Sequence, residues 1–419
     1  MTLARWIVAL ALVSIASGSA VALFLAALDH VTAVRHATPA LLWLLPAAGA
    51  VVSLAYIAAG SGVERGTNLI IDEIHQPGGG VPARLAPLVL LGTLVTHLFG
   101  GSAGREGTAV QMGGSIASAV DHHLFRRIRA WPSLQPGERA TLLQAGIAAG
   151  FGAVFGTPLA GAVFAIEVLH VGALRYRALL PCLVASLLAD QLTLAWGVRH
   201  TIYPAIAGGR AIFDAASLPN LVMAAIIFGL ASRLFSTGSH VLAAWWSRVI
   251  RIPWLRSAVG GICIIALTTL VGSRDYLGLG VTSPDPQAVT ILSAFHEGGA
   301  EPWSWLLKML FTIVTIASGF KGGEVTPLFF IGATLGNALA VLLQAPVELF
   351  AAMGFVAVFA GATNTPIACA IMGVELFGIG AAPYLAAACA IAYVVSGPTG
   401  VYSAQRRRGE HAARTAPPA

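Results

Sequence analysis

Charge is what this sequence has least of. Asp, Glu, Lys and Arg make up 10% of its 419 residues, against about 25% in a typical soluble domain. That deficit excludes a water-facing globular fold. Cysteine is rare as well. The four cysteines (Cys182, Cys263, Cys369, Cys389) all lie in apolar stretches without CxxC spacing, so neither a disulfide framework nor a thiolate metal site is expected, and they read as small core residues. Alternating short strands are missing, which excludes a β-barrel. The histidines, His75, His97 and His170 among them, share no spacing and read as loop or interface residues. No metal and no cofactor is therefore expected. The formal net charge is only +6 and points to no nucleic-acid partner.

What is present is hydrophobic: 57% of the residues, with a mean hydropathy of +0.81. Apolar runs recur along the whole chain, near 6–28, 40–60, 84–100, 143–169, 178–197, 217–232, 257–272, 304–318, 326–344, 350–378 and 380–396. Several approach the roughly 20 residues that span a bilayer. Others are short, or broken by Gly, Pro or a polar residue, among 47 glycines and 22 prolines in all. This predicts an all-α polytopic membrane protein with some broken or re-entrant helices. The N-terminal run is too long for a cleaved signal and reads as a retained first helix. Basic residues sit in loops: Arg126, Arg127 and Arg129; Arg175 and Arg177; Arg248, Arg251 and Arg256; Arg406, Arg407 and Arg408. The positive-inside rule puts these loops in the cytoplasm.

The chain repeats itself. Residues 157–169 read TPLAGAVFAIEVL and residues 365–377 read TPIACAIMGVELF. Each opens on Thr-Pro, and Glu167 and Glu375 each follow the Thr by ten residues. Ahead of each comes a second echo, EGT at 106–108 and EVT at 324–326, both after glycines. Two echoes in the same order imply a duplicated membrane fold. The halves are placed at 1–205 and 206–408, joined through AGGRAIFDAASLPN, with a short polar tail at 409–419 and no regulatory domain. Spacing alone leaves open whether the repeats are parallel or inverted.

A helix that starts inside a membrane aims free N–H groups and a positive dipole end at whatever lies ahead of it, which makes an anion site. Two such breaks brought together would hold a small desolvated anion without lysine or arginine. Gly104, Gly107 and Gly323 would let the backbone come close. Thr108 or Thr326 would add hydroxyl donors. Glu106, beside Arg105, would start one of these helices. Its carboxylate mimics the anion and competes with it, and a proton removes that competition. The plainer reading is a permanent cap paired with Arg105, but an intramembrane acid is functional by default. Glu324 is a second such acid or a satisfied cap. Glu167 and Glu375, late in what look like long helices, fit structural roles. Lys321 either attracts anions or snorkels to the surface. Tyr402 either points its hydroxyl into a pore or anchors at the membrane interface.

Together these motifs resemble the CLC chloride channel and transporter family. GREG at 104–107 looks like that family's GREGP signature, whose glutamate gates the pore and couples protons; the resemblance gives that role to Glu106. GIAAGFGAVFGTPLAGAVFAIEV resembles a Gly-Ala-rich segment of the family with a paired-Glu ending. GGEVTPLFFIGATLG occupies the place of GIFAP. VYSA resembles LYSA, so Tyr402 matches a tyrosine that bonds the central anion. The resemblance implies a homodimer with one pore per subunit and the inverted form of the repeat. The departures resemble the fluoride-exporting branch, CLC-F: Thr108 replaces Pro, Glu324 and Thr326, on either side of Val325, stand where the family has apolar residues, Asn364 precedes Thr365-Pro366, and Val168 replaces the second glutamate of the pair, the usual internal proton-transfer acid. The equivalent of the family's serine loop is Gly60-Ser61-Gly62 or Arg65-Gly66-Thr67-Asn68-Leu69. The second fits better, because NLIIDEIH continues as a helix, and it would turn Thr67 or Asn68 to the anion.

Fluoride is small, strongly hydrated and the best hydrogen-bond acceptor among the halides, so its site should offer extra hydroxyl and N–H donors. The expectation is a bacterial inner-membrane, multi-pass homodimer, its C-terminus cytoplasmic, that exchanges fluoride for protons. The alternative is a chloride channel or chloride/proton antiporter of the same family. An intramembrane serine protease built on Ser102 would need a histidine on a neighbouring helix, and no spacing supplies one.

Overall fold

The computed structural model describes residues 3–60, 62–126, 134–174, 176–206 and 218–407. Ser61, Arg127, Arg129, Arg175, Arg408, most of the linker between the halves and the 409–419 tail lie outside the described residues. Seven helical stretches among the described residues are long and apolar enough to cross a bilayer. The shorter apolar helices between them are the broken elements expected from Gly and Thr-Pro punctuation. The chain is an all-α, multi-pass membrane protein.

Two sets of helices repeat. The first contains α1 (Leu3–Ala37), α2 (Leu45–Ala58), α3 (Thr67–His75), α4 (Leu85–Leu98), α5 (Glu106–Val120), α6 (Pro136–Phe155), α7 (Pro158–Glu167) and α8 (Leu179–Ala195). The second contains α9 (Leu218–Val249), α10 (Pro253–Val271), α11 (Ser304–Ala317), α12 (Val325–Leu343), α13 (Val347–Thr363), α14 (Pro366–Phe377) and α15 (Ala382–Ser396). Just as α6 packs on α5, α7 and α8, so α13 packs on α12, α14 and α15. Long α1 lies against α6 and α8, and long α9 against α13 and α15. A two-residue parallel pair, β1 (His170–Val171) with β2 (Arg406–Arg407), ties the segment after α15 to the segment after α7.

The runs 143–169 and 350–378 each divide into two helices at the Thr-Pro step. Both breaks use the same backbone: Thr157 at φ −127°, ψ 71° and Thr365 at φ −127°, ψ 60°. The residue before each is left-handed, Gly156 at φ +72° and Asn364 at φ +57°. Asparagine is among the few side-chain-bearing residues that visit this region, which explains why Asn364 stands where the first half has glycine. As a result α7 and α14 are short, 10 and 12 residues, rather than the long helices the sequence suggests.

That shortness gives their glutamates a partner. The N–H groups of Ile367 and Ala368, at the start of α14, donate to the Glu167 carboxylate at 3.0 and 2.7 Å. The N–H groups of Leu159 and Ala160, at the start of α7, donate to Glu375 at 2.9 and 2.8 Å. Each half caps the other's broken helix, and the exchange is reciprocal, as a two-fold relation requires. For both ends to meet both starts, α7 and α14 must run antiparallel. The repeat is therefore inverted.

Helix pairs close on glycine. Gly113 of α5 faces Gly146 of α6, and Gly332 of α12 faces Gly354 of α13; a Cβ on any of these would collide with the opposing carbonyl. Gly146–Gly150 and Gly332–Gly336 have the small-xxx-small spacing of tight membrane helix pairs. Large apolar side chains such as Leu23, Val51, Leu180, Leu270 and Val394 point outward, as lipid contact requires.

Two outcomes follow. Glu167→Ala and Glu375→Ala should lower the melting temperature in detergent by similar amounts, each losing hydrogen bonds to a charged acceptor that are typically worth about 1.5–3 kcal/mol; Glu→Gln should lose less. Unequal effects would argue against reciprocal caps. Gly354→Val should abolish recovery of folded protein, whereas Val→Ala at lipid-facing Val51 should be silent in the same chromatographic assay.

Candidate functional site

The two Glu-x-Thr breaks meet. Gly104 and Gly323 form an antiparallel bridge, Gly104 N–H donating to Gly323 O at 2.6 Å and Gly323 N–H to Gly104 O at 2.8 Å. Side chains do not fit here: a Cβ on Gly323 would stand 2.7 Å from Gly107 N, and one on Gly104 would stand 2.9 Å from a Glu106 carboxylate oxygen. The bridge sets the N-terminus of α5 beside that of α12.

Glu106, the first residue of α5, reaches across to α12. The Thr326 N–H donates to its carboxylate at 3.0 Å, and the Thr326 hydroxyl donates at 2.6 Å to either carboxylate oxygen. Glu106 is 1% exposed and Thr326 2%. The carboxylate thus occupies the positive end of the other half's helix, where an anion would bind. On its own side it accepts the Arg105 N–H at 3.1 Å and lies 3.6 Å from the Arg105 Nε. The plain cap-and-pair reading is therefore incomplete, because the shortest contacts of Glu106 are to Thr326.

The loop that carries Glu106 is held at nearly every polar atom. Gly101 N–H donates to Thr96 O, and Gly278 N–H to Gly101 O. Ser102 N–H donates to the Thr315 hydroxyl, and the Ser102 hydroxyl pairs with that of Thr312 at 2.9 Å. Ser102 thus has a threonine partner from α11, not a histidine, and this arrangement offers no activated nucleophile. His97, read from sequence as a loop or interface residue, is instead fully buried in the last turn of α4, with ring nitrogens 2.8 Å from Thr93 O and 3.0 Å from Ala103 O. It clamps the loop to α4. The rings of His75 and His170 meet edge to face, their centroids 4.7 Å apart.

Not every expected donor faces the same point. The Thr108 hydroxyl pairs with Thr93 at 2.7 Å, because residues two apart on a helix face different ways; it braces α5 on α4 rather than turning to Glu106. Thr67 is buried at the start of α3, where its predecessor Gly66 takes φ +53°. The Asn68 side-chain oxygen accepts the Ala404 N–H at 3.0 Å, which ties α3 to the segment bearing Tyr402. No hydrogen bond joins Thr67 or Asn68 to Glu106 or Thr326 among the described residues. Tyr402 is buried. Glu324 directly precedes Val325, the first residue of α12, and its carboxylate lies near Gly107, within 4 Å of where a Cβ would stand. Glu106, Thr326, Glu324, Gly104, Gly107 and Gly323 therefore share one neighbourhood, with Arg105 at its edge.

Sequence reasoning passed over Tyr203, which packs on Phe295, Phe355 and Phe377. It also missed Thr93, Thr312, Thr315 and fully buried Lys308, which donates to Gly278 O at 2.7 Å. The available signal was polar residues at helical spacing inside α4 and α11.

The comparisons agree with this geometry. A family model described as voltage gated chloride channel matches residues 48–397. A chloride/fluoride channel protein of Pseudomonas syringae pv. tomato is 50% identical over 96% of this chain and 87% of its own. The H(+)/Cl(-) exchange transporter ClcA of Cronobacter sakazakii is 27% identical over 70% of this chain and 62% of its own. Among solved structures, a CLC-type fluoride/proton antiporter superposes with a TM-score of 0.89 at 32% identity, covering 97% of this chain and 98% of that one. A slow cyanobacterial Cl-/H+ antiporter shares the fold, with a TM-score of 0.77. The chain belongs to the voltage-gated chloride channel, or CLC, family.

Proposed function

We propose that this protein moves fluoride out of the cell in exchange for protons, with Glu106 as the group that carries the proton and blocks the anion. The observation that carries the reading is the Glu106 carboxylate lodged on the Thr326 N–H and hydroxyl at the start of α12. An ionised carboxylate there is a tethered anion. Protonation removes its charge, weakens its hold on the helix end and frees the donors for fluoride. Once fluoride has left to the outside, the carboxyl group releases its proton to the cytoplasmic side and the carboxylate returns.

Thr326, Tyr402, Thr67 and the backbone N–H groups at the two helix starts, those of Gly107 and Val325 included, hold the anion in this reading. Glu324 shapes the site or assists the proton. Arg105 and Asn68 sit at its margins. The donor set favours fluoride, which gains more than chloride from hydroxyl and N–H donors and so is better repaid for leaving water. The relatives named as fluoride proteins support the choice; those that exchange chloride keep chloride/proton antiport as the alternative. We read the molecule as an inner-membrane homodimer of two halves, 1–205 and 206–408, with the face bearing Arg177, Arg248, Arg251, Arg256, Arg406 and Arg407 in the cytoplasm, together with the 409–419 tail.

Ion efflux from proteoliposomes tests the reading. Fluoride efflux should carry stoichiometric proton uptake, exceed chloride efflux and rise as the external pH falls, since protonation opens the site. Equal chloride efflux would leave the chloride alternative standing. Glu106→Gln should abolish proton uptake; unchanged uptake would remove Glu106 from the mechanism. Thr326→Val deletes one donor to a charged acceptor, about 1.5–3 kcal/mol, so half-maximal fluoride transport should need roughly ten- to a hundredfold more fluoride with little change in melting temperature.

A further inference from the structure

A cavity of about 410 Å³ lies away from the Glu106 site, between the C-terminal end of α2, the N-terminal end of α10 and the loop leading into α12. Its polar lining includes Lys321, Arg256, Tyr56, Ser257, Ser318 and Glu64. Lys321 is placed deliberately. Its stem runs over Gly92 of α4, where a Cβ would crowd it at 3.0 Å, and its ammonium sits 4.2 Å above the Tyr56 ring. Among the described residues it makes no ion pair. The Tyr56 side chain lines the same cavity at 6% exposure, with a buried hydroxyl that has no hydrogen-bond partner. The 19-residue helix α10 aims its N-terminal end at the same space, with Pro253 on the wall.

Two cations and a helix N-terminus describe an anion site. Glu64 offsets one charge, and its carboxylate already accepts the Gly62 N–H at 2.9 Å. The balance of about one positive charge suits a monoanion. The volume is far larger than a halide needs. The surroundings are lipid-facing, because Ile57, Leu54 and Trp254 stand exposed on the bordering helices. Arg256 belongs to the basic Arg248–Arg256 segment, which marks this end as the cytoplasmic leaflet in the orientation proposed above; basic pockets between membrane helices on that side suit anionic headgroups.

We propose that this cavity binds the phosphodiester of an anionic phospholipid, held by Lys321 and Arg256, with the Tyr56 ring supporting the Lys321 ammonium. The acyl chains would lie along the outer faces of α2 and α10. The consequence reaches the transport site through the backbone. Ser318, Gly319 and Lys321 of the cavity wall lead directly to Gly322 and Gly323, and Gly323 forms the bridge to Gly104. A bound headgroup fixes the loop from behind and steadies the bridge.

The inference rests on the proposed orientation only for the choice of leaflet, and two readouts do not depend on which ion is transported. Native mass spectrometry of the purified protein should show retained phosphatidylglycerol, lost in Lys321→Met and in Arg256→Gln and kept in Lys321→Arg. Phosphatidylglycerol added to delipidated protein should raise the melting temperature of the wild type and leave that of Lys321→Met unmoved, while inorganic phosphate should do little to either. In vesicles, wild-type fluoride efflux should be several-fold faster with phosphatidylglycerol than in phosphatidylcholine alone, and Lys321→Met should run at the wild-type phosphatidylcholine rate in both. Stabilisation by inorganic phosphate equal to that by lipid would overturn the lipid assignment. Loss of efflux in Lys321→Met alike in both lipids would show that Lys321 acts on the transported anion instead. Lipid effects on stability with no fluoride efflux at all would count against the transport reading and leave the lipid site intact.

Discussion

Everything in this structure depends on bringing two helix starts together inside a membrane. A helix start leaves N–H groups without partners, and lipid offers none. The protein has four such starts at its centre, at α5, α7, α12 and α14. It satisfies those of α7 and α14 with glutamates from the opposite half. It satisfies that of α12 with Glu106. The Gly104–Gly323 bridge is what makes this geometry possible, because only backbone without side chains can come that close.

The arrangement also explains why the surroundings of Glu106 are over-determined. The loop before it is pinned by α4 through Thr96 and His97, by α11 through Thr312 and Thr315, and by the second half through Gly323. In low dielectric a misplaced donor cannot be compensated by water. A fixed frame lets one carboxyl group change state while its neighbours do not, which is the structural condition for coupling a proton to an anion.

Much of this was legible in the sequence. The paired Thr-Pro-x₈-Glu segments located α7 and α14, and the paired Glu-x-Thr steps located the site, because each break needs particular residue types at fixed spacing. The resemblance gave the inverted form of the repeat. What stayed hidden was partnership. Glu167 and Glu375 read as residues deep in long helices, since nothing local reveals that each meets a helix start some 200 residues away in sequence. Thr108 read as an anion donor, since its alternative partner Thr93 lies on another helix. His97 read as a peripheral histidine, since the carbonyl of Ala103 becomes its partner only when the loop folds back. Local pattern reports where a helix stops, whereas tertiary packing decides what fills the gap.

The same chemical device therefore serves two ends, and the difference lies in the tether. Glu167 and Glu375 each sit in the last turns of their own short helices and accept two backbone N–H groups at 2.7–3.0 Å from the partner helix. Displacing either would leave two backbone N–H groups at a helix start without their acceptor. Glu106 instead begins its helix between Gly104–Arg105 and Gly107, and accepts one N–H together with a hydroxyl from the far side. A hydroxyl can rotate to another acceptor; a backbone N–H cannot. In the exchange proposed above, Thr326 is the donor that makes the cap exchangeable, and a halide arriving at α12 would find the same two hydrogen bonds that the carboxylate leaves behind. A second apolar residue at position 326, as in the wider family, would keep the helix end and lose that rotatable donor, which is the physical content of this branch's departure from it.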